Sequence, residues 1–179
     1  MSEYGRRIDI TFERCGAGSR SLSSNVVVCG DLQLKGNVVV DAPAGAVLVI
    51  ENGQLDTSGF TLATTKGSGL TVVFSGNNSG SYTHAPTGGG TLDITAPTSG
   101  AWKGVAIYQD PNLTSGVNIS AAGNSPTWDI TGLVYLPHSS VTFSGAVNKS
   151  SKRTTLFCSC GFGHYRERNR KHFAERRSM

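Results

Sequence analysis

The chain has 179 residues, a formal net charge of +4 and 37% hydrophobic content, which suits one domain with a buried core. Glycine, serine, threonine and asparagine supply 71 of the 179 residues and only 16% are charged, so strong helix formers are scarce and a helical bundle is excluded. No apolar run approaches the roughly 20 residues of a membrane-spanning helix, and the first fourteen residues lack the apolar stretch of a signal peptide, so no export signal or membrane segment is expected in the chain as written.

Charge is unevenly placed. Residues 1–148 carry 7 basic and 10 acidic side chains, whereas residues 149–179 carry 9 basic and 2 acidic ones. Of the 23 glycines, 21 precede Asn148. Two kinds of sequence therefore meet near residue 149, and three regions are expected: a polar segment over 1–24, a β domain over 25–148 and a basic tail over 149–179.

The first segment carries Arg6, Arg7, Arg14 and Arg20 and keeps no sustained period, so it is read as poorly ordered. From Asn25 onward, short β-branched runs predict strands at Asn25–Val28, Asn37–Val40, Ala46–Ile50, Leu70–Phe74 and Val105–Tyr108. Further runs follow at Val117–Ile119, Trp128–Ile130, Leu133–Leu136 and Val141–Phe143. Glycine-bearing pairs such as Asn52-Gly53 and Ser58-Gly59 mark the corners between them.

Two all-β architectures compete, a parallel β-helix or β-solenoid and an antiparallel β-sandwich. Several runs are apolar at successive positions, as expected of strands buried on both faces, which favours the β-solenoid. In it Val39, Val49, Val72 and Ile107 are expected to stack inward. Thr91–Thr95 alternates cleanly and speaks for the sandwich. Asn-Val-Val-Val recurs at Asn25 and Asn37 and Phe-Ser-Gly at Phe74 and Phe143, without a shared repeat length.

Chemistry in such a domain would need acids and bases gathered in one cleft, and the candidates are Asp93, Asp110 and Asp129 with His84 and His138. Tyr108-Gln109-Asp110-Pro111 is similar to the Gln-Asp pair of pectin methylesterases. That likeness implies an oxyanion-supporting role for Gln109, a proton-donating role for Asp110 and a second carboxylate at Asp129. The plainer reading has Asp110 open a turn before Pro111 and Asn112. His84 and His138 read as exposed loop residues, and Trp102 and Trp128 as corner or core fillers that could also stack on a sugar.

Cys15, Cys29, Cys158 and Cys160 allow three disulfide pairings. Cys158 and Cys160 with His164 and His172 could instead be imagined around zinc, but one residue between the cysteines is short of the usual two to four. No metal or cofactor is expected. In the tail, Arg166, Arg168, Arg170, Lys171, Arg176 and Arg177 flank Tyr165 and Phe173. This pattern can grip phosphates, yet it also fits a disordered or helical charged run, or one read out of frame after Ser151.

Leu92–Gly100 followed by Trp102–Asp110, and Gly132–Pro137 followed by Val141–Gly145, carry an Ala-Pro-Thr-x-Gly turn, a strand ending in Gln-Asp, then Gly-x-x-Tyr-x-Pro and Phe-Ser-Gly. In order and spacing, over roughly Cys29 to Asn148, the chain resembles the C-terminal region of TadG-like proteins of bacterial Flp (tight-adherence) pilus assembly. The resemblance implies a non-catalytic, envelope-facing or periplasmic component of a pilus or adhesion apparatus with a β-helix-like fold, and it supplies no catalytic residues. Its partners would be other pilus-assembly or envelope proteins, with glycans as further contacts. The neutral, hydroxyl-rich core does not suit a nucleic-acid domain.

Overall fold

Short β-branched runs separated by turn residues form hairpins only if the chain reverses between them, and here it does not. The computed structural model describes residues 25–117 and 127–140, together with the strand Thr155–Cys158 as backbone. Within these, each run returns beside one lying 22 or more positions earlier and points the same way. Val26 of β1 (Val26–Cys29) pairs with Leu48 of β4 (Ala46–Glu51), and Leu48 with Val72 of β7 (Leu70–Ser75). Val72 pairs in turn with Ile107 of β10 (Val105–Gln109), and Ile107 with Val134 of β11 (Thr127–Tyr135).

A second ladder is short, running from β2 (Leu32–Gln33) through β5 (Leu55–Asp56) to β8 (Pro86–Thr87). A third joins β3 (Val38–Val40), β6 (Thr61–Thr64), β9 (Thr91–Thr95) and the first half of β11. Because β11 serves both the first and third ladders, they merge into one curled nine-stranded parallel sheet. The change of ladder falls at Gly132, whose φ of +135° and whose Cβ, if present, 2.6 Å from the Ala96 Cβ both require glycine.

The molecule is all-β, with no helix and no antiparallel pair among the described residues. The antiparallel sandwich therefore lacks the pairing it requires. Apolar side chains stack from strand to strand inside the curl, as in Val26, Leu48, Val72, Ile107 and Val134 along one column and Val28, Ile50 and Phe74 along the next. Each such burial contributes roughly 1.5–3 kcal/mol.

Burial within the strands differs from the expectation. Val72 and Ile107 do point inward, but Val39 is 63% exposed and Val49 is only half-buried. Strand side chains alternate between faces whatever their polarity, and valine favours extended backbone even where it meets solvent. Among the described strands only β7 is buried at five successive positions.

The repeated Asn-Val-Val-Val also has a different meaning. The valines of the two copies lie in strands of the same circuit, β1 and β3, and the asparagine before each joins its strand to the next one on its ladder. Asn25 Oδ1 accepts from Val47 N at 3.1 Å, and Asn37 Oδ1 accepts from Thr61 N at 2.9 Å. At the corners, Asn52 Oδ1 accepts from Asn77 N and Asn78 Oδ1 from Thr114 N, each at 2.8 Å.

The tail expectation changes at one place. Thr155–Cys158 forms β12, paired in parallel with β11 so that Leu156 lies beside Leu133 and Phe157 beside Val134. The unpaired backbone edge of β11 accepts any extended segment that returns in register, whatever the composition beyond it. Residues 1–24, 118–126, 141–154 and 159–179 lie outside the described residues, and with them the expected strand at Val141–Phe143 and nearly all of Val117–Ile119.

Candidate functional site

The interior column Val28, Ile50, Phe74 ends on Gln109, the last residue of β10 and completely buried. An amide capping an apolar stack must find partners inside, and it does. Gln109 Nε2 donates to His84 O at 2.8 Å and to Ser115 O at 3.0 Å, while Oε1 accepts from His138 N at 3.1 Å. One side chain thus ties together three backbone segments that are distant in sequence. That is a joint, and it leaves both amide groups occupied.

Asp110 follows in the corner after β10. Its N–H donates to Phe74 O at 3.0 Å, and its Oδ1 accepts from Asn112 N and Nδ2, each at 2.9 Å. Leu113 N closes the turn on the Asp110 carbonyl, seating a fully buried Leu113. The turn reading of Asp110 holds. Asp129, by contrast, is exposed in the first half of β11, in register with Asp93 of β9. Level with Asp110 on β11's continuation lies Pro137, eight positions past Asp129 and beyond the bend at Gly132. The structure joins Gln109 and Asp110 only as chain neighbours and places Asp129 on another ladder.

His84 is not an exposed loop residue but is entirely buried, because the chain before β8 turns its side chain into the interior. Its Nδ1 is hydrogen-bonded to Ser115 Oγ, and Nε2 has no hydrogen-bond partner among the described residues. Burial holds its pKa below the ordinary 6.5, which keeps the ring neutral. A hydroxyl against a neutral imidazole is the start of a nucleophilic pair, but no carboxylate orients His84 among the described residues and the ring is closed to solvent. His138 is exposed, as expected, with Nε2 3.0 Å from Pro111 O.

The tryptophans part company. Trp128 packs, half-buried, against the core. Trp102 meets Tyr108 edge-to-face at 5.5 Å, and Tyr108 stacks on Tyr135 at 5.5 Å, as adjacent outward residues of β10 and β11. The stacked rings spend their facing π-surfaces on each other. Nothing in the sequence alone marked this row, since its register depends on a β-bulge between Val105 and Ile107.

Among the described residues no three His, Cys, Asp or Glu side chains are grouped to hold a metal. The imagined zinc set at Cys158, Cys160, His164 and His172 falls outside the described side chains. No described helix is long and apolar enough to cross a membrane. No protein-family model matches the chain, and no curated protein and no solved structure is significantly similar to it.

Proposed function

We propose that the chain is a non-catalytic structural component of a Flp (Tad) pilus-assembly or adhesion apparatus at the cell envelope, built on a β-solenoid. The observation that carries the reading is the use made of the Gln-Asp pair. Gln109 and Asp110, the residues with most claim to chemistry, are both committed to holding successive strands and their corner together. Support for the solenoid comes from three parallel ladders that recur in the same order along the chain. The partners proposed are other pilus-assembly or envelope proteins, and glycans, met through the hydroxyl-rich outer faces and corners.

Deleting the gene in its own organism and scoring surface pili and adherence tests the proposal. Loss of both, restored equally by the wild-type chain and by Asp110→Asn, is the expected result. Unchanged adherence overturns it. Hydrolysis of methylated pectin by the purified chain, abolished in Asp110→Asn, would replace it with the esterase alternative.

A further inference from the structure

Cys29 ends β1, where residues alternate between core and surface: Val26 and Val28 point in, Val27 is exposed, and Cys29 follows Val27 outward. Cys29 is disulfide-bonded. Its Sγ therefore carries no proton, and its 3.9 Å approach to Glu51 Oε2 is a contact rather than a hydrogen bond. The chain offers three other cysteines, Cys15, Cys158 and Cys160.

Reach decides among them. Cys158 ends β12, and the first ladder runs β1, β4, β7, β10, β11, β12, so five inter-strand steps separate the two cysteines. At about 4.8 Å a step this is roughly 24 Å. A disulfide needs Cα atoms within about 7 Å. Cys160, two residues further on, gains at most about 7 Å of reach and still falls roughly 10 Å short. Cys15 is fourteen positions before Cys29, and a stretch of that length can double back with ease.

We infer that Cys29 is cross-linked to Cys15. Cys15 lies outside the described residues, and the inference rests on the strand geometry and not on the pilus reading. Forming the bond joins the two Sγ atoms and releases two protons and two electrons. The electrons pass to an exchanging disulfide, so the chain matures where a thiol–disulfide oxidant is supplied. The closed loop restricts the unfolded chain and so stabilises the first strands.

Peptide mapping of the full chain, alkylated without reduction and digested with trypsin, tests the assignment. The expected product is peptide 15–20 linked to peptide 21–35, from a species that runs as a monomer on a non-reducing gel. Linkage of 21–35 to peptide 154–166, which holds Cys158 and Cys160, overturns the inference, as does a linked dimer or an alkylated Cys29. Thermal unfolding supplies a second reading. Cys15→Ser and Cys29→Ser should each lower Tm by about 6–12 °C, with no further loss in the double variant. A Cys15→Ser chain that melts with the wild type while Cys29→Ser melts early would also overturn it.

Discussion

Gln109 shows how one residue type supports opposite readings until its environment is known. Read beside Asp110 it has the look of an oxyanion donor, but in the fold its amide serves two carbonyls and one N–H that the interior would otherwise leave unpaired. Gln109→Leu keeps the volume and strands all three, at about 1–3 kcal/mol for each group that water cannot reach. Urea unfolding should show a loss of at least about 3 kcal/mol in all, whereas Asp110→Asn, which keeps an oxygen for Asn112 N, should stay within about 1 kcal/mol of wild type. His84 makes a separate prediction. Its native pKa lies below 6.5, so the unfolded chain binds the proton more readily. The stability due to the buried neutral ring is complete above about pH 6.5 and is lost progressively as the pH falls below it. Urea midpoints between pH 7.5 and 5 should therefore slope less in His84→Leu than in wild type. Equal slopes would remove His84 from the account.

Among the elements, the strands are too short to hold by themselves and depend on joints to their neighbours. The asparagines before β1 and β3 are such joints, each lending a side-chain oxygen to a backbone N–H on the next strand of its ladder. Asn37→Ala should cost about 1 kcal/mol and Asn37→Asp much less, because only the oxygen is used. The sequence marks these positions by repetition, yet their spacing of 12 points to no circuit because the two copies belong to different ladders. Gly132 and β12 are joints of another kind, the first turning β11 between ladders and the second covering its free edge. A chain ended after Ser151 loses β12 and exposes that edge. Light scattering at equal concentration should show it aggregating faster than the full chain.

Across the whole molecule, stability is shared by columns of side chains contributed by successive strands of a ladder. Phe74 sits mid-column between Ile50 and Gln109 and is completely buried, so Phe74→Ala should cost about 3–5 kcal/mol in urea unfolding. The all-β class was legible in the sequence because glycine, threonine and β-branched runs disfavour helix at the level of each residue's backbone. So were most strands of the first ladder, and the turn at Asp110. Those features depend on residues within a few positions of one another. Which valines face inward, that His84 is buried, that Gln109 is a joint and that Asp129 lies apart from Asp110 were decided only by the tertiary structure. Each of these depends on the register between strands 22 to 36 positions apart. A shift of one residue in that register turns every side chain to the opposite face, and loops of unequal length between the strands leave no fixed period from which it can be read.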